Sequence, residues 1–181
     1  RVDNMHVRAG AFRLEGVSFE VPTGQYAMLM GRSGSGKTTI LEAICGLKHV
    51  LSGAIVLTDR DVTDLSPADR DIGYVPQDGA LFSTMTVRKN IAFALSIRHA
   101  REAEIDRRVM ELAGLLQVEH LLDRRPIGLS GGEIQRVALG RAISYGPSVL
   151  CLDEPLSALD RETREEMYGL LKSVQKLTGV T

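Results

Sequence analysis

Residues 12–21, FRLEGVSFEV, alternate in character: Val17, Phe19 and Val21 are apolar, with Ser18 and Glu20 between them. A period of two predicts a strand with one face on a core. PTG at 22–24 reads as a turn. QYAMLM at 25–30 is a short apolar run suited to a strand buried on both faces, as parallel strands are. Glycine-rich GRSGSG follows, then TTILEAICGLK, a helix predicted to end near Gly46. SGAIVLTD (52–59) and DIGYVPQ (71–77) read as two more strands, the second stopped by Pro76. Between them SPAD (66–69) sets Ser before Pro, a short-helix start.

The period then lengthens. From about Thr86 to Gln117 the chain reads as helical, and EIDRRVMELAGLLQ places Ile105, Val109, Leu112, Ala113 and Leu116 on one face. DRRPIG (123–128) is a loop, and a helix is predicted from Ser130 to about Ser144. SVLCLDEP (148–155) is a second strongly buried strand, followed by a helix from about Glu162 to Leu177. Strands alternating with helices predict an α/β fold with a parallel-rich sheet. The expected organisation is a single domain over 1–181, with a core of 1–82 and 138–181 around a helical insertion at about 83–137.

Composition narrows the function classes. A chain of 181 residues that is 44% hydrophobic can bury one real core. Its formal net charge of -1 offers no basic excess for nucleic acid, so none is expected as a partner. No apolar run reaches the roughly 18 residues of a membrane span, and RVDNMHVRAG does not read as a signal peptide. Cys45 and Cys151 sit singly in apolar settings, which predicts buried structural thiols and fits a reducing compartment. His6, His49, His99 and His120 lack ligand spacing and are expected at the surface.

Three stretches carry chemistry. Gly31, Arg32, Ser33, Gly34, Ser35, Gly36, Lys37 and Thr38, with Thr39 next, fit G-x-x-x-x-G-K-[ST] between a predicted strand and helix. Such a loop curls its N–H groups toward phosphate oxygens; Lys37 can reach the β- and γ-phosphates, and the Thr38 hydroxyl can ligate Mg²⁺. VLCLDE ends a buried strand in two carboxylates at the strand end where ligands of such folds sit. Asp153 is placed to hold Mg²⁺ and Glu154 to polarise an attacking water. In LSGGEIQR, Ser130 and Glu133 can form a capping box, yet Gly131 and Gly132 each cost about 1 kcal/mol early in a helix. Glycine there suggests a ligand approaching the bare backbone.

GRSGSGKTT, Gln77 after YVP, LSGGEIQR, VLCLDEP and SALD (157–160) stand in the order found in ATP-binding-cassette ATPases, which the chain resembles over nearly its whole length. The resemblance implies a P-loop NTPase core with an N-terminal antiparallel part and a helical subdomain. ATP and Mg²⁺ are then the cofactors, with Gln77 beside Thr38 and Asp153 at the metal, and Lys37, Gln77 and Glu154 catalytic. It also implies a head-to-tail dimer in which Ser130, Gly131, Gly132, Glu133 and Asp160 address the ATP of a partner chain; Asp160 could equally cap the next helix. Phe12 is the nearest candidate to stack on adenine, although Arg8 falls near the expected place.

RDIGYVPQDGALFSTMTVRKNIAF is similar to importer subunits for oxyanions, iron or polyamines. The resemblance therefore implies a peripheral ATPase on the cytoplasmic face of a membrane. It would serve a permease and an extracytoplasmic solute-binding protein. An exporter ATPase is the alternative. A non-transport ATPase of DNA repair is disfavoured, because only about 50 residues separate Gln77 from Ser130 and they carry no heptads, and a tandem ATPase of translation would need a second cassette. The family also has a strand with a switch histidine beyond the point corresponding to Thr181, so residues 1–181 alone are expected to hydrolyse ATP weakly.

Overall fold

The computed structural model describes every residue of 1–181 except Ala158. Its N-terminal part is an antiparallel sheet of β1 (Val2–Ala9), β2 (Phe12–Phe19), β3 (Val50–Leu57) and β4 (Arg60–Asp61), in the order β2-β1-β3-β4. Alternation does not announce β1, because its buried residues are Val2, Met5 and Val7. Register shifts between Val2 and Met5, and between Met5 and Val7, absorb the odd spacing and keep all three on the core face. That face packs against Ala43, Ile44 and Cys45 near the end of α1 (Lys37–Ile44), and against Val50, Ile55, Val62 and Cys151.

The second sheet is a parallel pair, β5 (Ile72–Val75) and β6 (Val149–Leu152), in register from Ile72 opposite Val149 to Val75 opposite Leu152. The chain between them forms α2 (Val87–Ile97), α3 (Glu102–Leu116) and α4 (Gly131–Ile143); α5 (Arg161–Thr178) follows β6. Val109, Leu112, Ala113 and Leu116 are buried on the predicted face of α3, with Ile105 packed against them. Each of the larger ones contributes about 1.5–3 kcal/mol by leaving water. They share one core with Val87 and Ile91 of α2, Val137, Leu139 and Ile143 of α4, and Met167, Leu170 and Val174 of α5. At Gly140 a Cβ would stand 2.8 Å from Leu116 Cδ1, so α3 and α4 need a glycine there.

One predicted strand is not found. QYAMLM (25–30) carries no ladder hydrogen bonds among the described residues, and Met28 and Met30 are 77% and 84% exposed. An apolar run becomes a strand only where a neighbouring backbone offers it partners. This segment lies instead against α5 and Thr181: Tyr26 Oη donates to Leu171 O at 2.8 Å, and Gly24 N–H to Thr181 Oγ1 at 2.8 Å. β6 turns its other edge to Thr181, whose carbonyl accepts from Leu150 N–H at 2.8 Å.

Candidate functional site

The glycine-rich loop closes on itself through Ser35 N–H donating to Arg32 O at 3.1 Å. Gly34 and Gly36 take φ of +78° and +96°, a left-handed backbone that strains other residues. Gly36 also has no room for a side chain: a Cβ would lie 2.9 Å from both Leu14 Cδ2 and Phe12 Cε1. The first backbone bond into α1 is Ile40 N–H to Gly36 O, so the N–H groups of Lys37, Thr38 and Thr39 have no helical acceptor. Those donors and the positive end of the helix form an anion cradle. Lys37 Nζ stays at its rim, donating to Gly31 O (3.1 Å) and Arg32 O (3.3 Å).

The far end of α1 is anchored by a residue the motifs do not announce. Arg70 is buried, and its guanidinium donates to four carbonyls: Leu65 (3.0 Å), Ala43 and Ile44 (both 2.9 Å) and Thr63 (2.7 Å). Burial lowers its pKa, and the four acceptors stand in for lost water. A cation at the helix C-terminus also complements the dipole whose other end is the cradle. The two thiols lie beside it, buried as expected; hydrogen bonding with Cys151, then burial, pushes the Cys45 thiol up and keeps it inert.

β6 delivers the carboxylates to the loop in two different settings. Asp153 N–H donates to Val75 O at 2.9 Å, prolonging the parallel ladder by one residue and holding Asp153 buried. Glu154 then turns out of the sheet with φ of +47°. For a residue other than glycine that conformation costs on the order of 1–2 kcal/mol, a strain typical of functional positions. The turn brings Glu154 Oε2 to 3.3 Å from Gln77 Nε2 and Oε1 to 3.9 Å from Lys37 Nζ. Lys37, Gln77 and Glu154 therefore meet at the loop, although they lie on three separate segments.

The second anion-binding candidate is built as its sequence predicts. Ser130 caps α4: its Oγ accepts from Glu133 N–H (3.3 Å), while Glu133 Oε2 accepts from Ser130 N–H (2.7 Å) and from the Ser130 hydroxyl (2.8 Å). The backbone bond, then the hydroxyl bond, hold the Glu133 carboxyl below its ordinary pKa. The two glycines separate in role. A Cβ on Gly132 would stand 2.8 Å from Thr163 Cγ2 of α5, so packing within this chain already requires it. At Gly131 the nearest atom would be 3.8 Å away, and the residue is exposed. Among the described residues, packing gives a reason for Gly132 and none for Gly131. Among the described residues no hydrogen bond or ion pair joins Ser130, Gly131, Gly132 or Glu133 to the phosphate loop.

Asp160 caps α5, accepting from Thr163 N–H (3.0 Å) and Thr163 Oγ1 (2.7 Å), which lower its pKa. Within SALD, Ala158 lies outside the described residues. Phe12 sits directly against Gly36, whereas Arg8 is turned to the hairpin, its Nε donating to Gly10 O at 3.0 Å. Gln135 and Arg141, which no motif reading singled out, bind the backbone around Gln77. Both belong to the face of α4 turned to β5, and that periodicity was the available signal.

The chain is 46% identical over 170 residues to the molybdate/tungstate import ATP-binding protein WtpC of Thermococcus kodakarensis, covering 94% of this chain and 52% of that protein. It is 44% identical to the sn-glycerol-3-phosphate import ATP-binding protein UgpC of Brucella abortus (93% and 48% covered). The sulfate/thiosulfate import ATP-binding protein CysA of Nocardia farcinica is also 44% identical (99% and 55% covered). The chain thus spans about half the length of the curated relatives it matches. Its fold superposes with a TM-score of 0.86 and 28% identity on a dimeric post-hydrolysis state of the ATP-binding cassette MJ0796 bound to ADP and Pi, covering 98% of this chain and 83% of that one. Residues 14–157, which run from the hairpin through the phosphate loop to the acidic strand end, match the ABC transporter family, and to that family the chain belongs.

Proposed function

We propose that the chain is the nucleotide-binding domain of an ATPase that binds and hydrolyses ATP to drive import of a solute through a membrane permease. The observation that carries this reading is the meeting of Lys37, Gln77 and Glu154 at the mouth of the phosphate loop. The loop and the N-terminus of α1 hold the phosphates by their N–H groups. Lys37 neutralises charge on the β- and γ-oxygens, and Glu154 accepts the proton of the water that attacks the γ-phosphorus in line, as the bond to the β–γ bridging oxygen breaks and ADP leaves. Gln77, already bonded to Glu154, orients that water.

The donor set also suits a hard cation. Thr38, Asp153 and Gln77 offer a hydroxyl, a buried carboxylate and an amide oxygen, the ligand types that Mg²⁺ takes together with phosphate oxygens. Bound there, Mg²⁺ would neutralise the bridging phosphate charge. Phe12, against Gly36, is the side chain positioned to stack on a base.

A second copy completes the site in this reading. Beside the Ser130 hydroxyl, the Gly131 and Gly132 N–H groups find no acceptor among the described residues, at a helix N-terminus that makes no bond to its own chain's loop, and the MJ0796 structure is described as dimeric with ADP and Pi. The three relatives are named for importing molybdate or tungstate, sn-glycerol-3-phosphate, and sulfate or thiosulfate: two sets of inorganic oxyanions and one organic phosphate. An oxyanion importer, with this chain on the cytoplasmic side of the permease, is the corresponding proposal. Gln77, and the helical elements taken as an insertion at about 83–137, would transmit closure to it.

The test is Lys37→Ala in the full-length protein, read by equilibrium binding of a fluorescent ATP analogue. Affinity is expected to fall at least 100-fold, about 2.7 kcal/mol, because a charge-assisted contact to two phosphates is lost. Unchanged affinity would remove Lys37 from the nucleotide site.

A further inference from the structure

The stretch after Gln77 is held by α4 through its backbone, not its side chains. Gln135 Nε2 donates to Gln77 O at 2.9 Å, and Arg141 donates to Ala80 O at 2.6 Å and to Gly79 O at 3.0 Å. The Arg141 guanidinium also lies 5.1 Å from the centroid of the Phe82 ring, which closes the same stretch from its far side. Contact is tight enough to exclude a side chain at Gly79, where φ is +70° and a Cβ would be 2.7 Å from Ile134 Cγ2. Ala80 next to it has φ of +41° and is pinned by its N–H bond to Asp78 Oδ1 at 3.1 Å. A backbone in that state stays put only if its surroundings dictate it.

Gln135 is an expensive residue for mere packing. It is buried, and its Oε1 finds no hydrogen-bond partner among the described residues. An orphaned buried carbonyl costs about 1–3 kcal/mol, whereas an apolar side chain of the same length would fill the space without that cost. Filling space alone therefore does not call for an amide; its bond to Gln77 O does. What it does provide is a donor fixed on α4 and aimed at the main chain of the very residue whose side chain touches Glu154.

We propose that Gln135 and Arg141 are positioning residues for hydrolysis: together they clamp the backbone of residues 77–80 to α4, so that the Gln77 amide keeps its place beside Glu154. The inference rests on the ATPase reading above and deepens it. The helix that carries Ser130 and Gly131 at its N-terminus carries the clamp one and three turns further along the same rod. Movement of the helix end that meets a partner's ATP is thereby transmitted to Gln77 in this chain's own site. Neither Gln135 nor Arg141 touches substrate; both act through Gln77.

The experiment is steady-state ATPase kinetics of the full-length protein as wild type, Gln135→Leu, Gln77→Ala and the double variant. Misplacing a reacting group by about 1 Å costs up to 100-fold, so Gln135→Leu is expected to lower kcat roughly 10- to 100-fold with KM for ATP within about threefold. In the Gln77→Ala background the same substitution should remove nothing further, because its only route to the chemistry is gone. Arg141→Lys, which keeps one donor to the carbonyls, should retain more activity than Arg141→Met. Wild-type kcat in Gln135→Leu, or losses that multiply in the double variant, would overturn the clamp. Should Gln135→Leu fail to fold, Gln135→Met, unbranched and of equal length, runs the same comparison. A wild-type protein that binds ATP without turning it over would overturn the ATPase reading itself and the clamp with it.

Discussion

Ser130 has two jobs in this account, and substitution can separate them. In Ser130→Ala the helix loses the acceptor for Glu133 N–H and the hydroxyl that donates to Glu133 Oε2. Loss of an N-cap costs about 1 kcal/mol; with the second bond to a carboxylate the total should lie in the upper half of the usual range, about 1–2 kcal/mol. For a chain of this size that lowers Tm by about 2–8 °C. The cost should depend on pH with a definite sign. Glu133 has its pKa lowered in the folded protein, so its contribution is fully present above the ordinary carboxylate pKa, about 4.3, and fades as pH falls through the lowered value. The gap between wild type and Ser130→Ala is then widest at neutral pH and narrows below about pH 4. Ser130→Asp restores an N-cap acceptor but sets a negative charge where a phosphate is to bind. Thermal melts at several pH values, paired with ATPase rates, should find Ser130→Ala less stable and slow, and Ser130→Asp nearer to wild-type stability at pH 7 and slow. A Ser130→Asp protein with normal turnover would refute the phosphate role, and a Ser130→Ala melt identical to wild type would refute the cap.

Arg70→Met removes a guanidinium shared by four carbonyls under α1, and chemical denaturation should register a loss of roughly 3 kcal/mol; a change below about 0.5 kcal/mol would show the staple to be dispensable. Glu154→Gln keeps the shape of the side chain but cannot take a proton, so ATP should still bind while hydrolysis falls by at least 100-fold; near-normal turnover in a phosphate-release assay would remove Glu154 as the base.

Where a local rule decided the structure, the residues announced it. The capping box at Ser130, the apolar face of α3, and the cradle of Gly34 and Gly36 each follow from chemistry within a few residues of one another. What depended on remote partners was hidden. QYAMLM has the composition of a buried strand, but its pairing is not encoded within it, and Met28 and Met30 stand exposed. β1 was obscured by its bulges, since Val2, Met5 and Val7 do not alternate. Arg70, Gln135 and Arg141 work by donating to backbone carbonyls, and an acceptor common to every residue leaves no motif; for Gln135 and Arg141 the periodicity of α4 marks the face but not the bonds. Asp160 was legible as a possible cap, and as a cap it is found.

The glycine pair shows how a motif can mix two causes. Gly132 answers to Thr163 across a helix contact, and Gly131 to no close contact among the described residues. In the proposed dimer, an exposed helix N-terminus with an open glycine, unconnected to its own phosphate loop, would be half of a site. The direct test is sedimentation of full-length Glu154→Gln with and without Mg·ATP. The account predicts a monomer that becomes a dimer only with ATP, and that stays monomeric with ATP when Ser130→Asp is added. A protein that binds ATP fully yet remains a monomer at every concentration reached would contradict it.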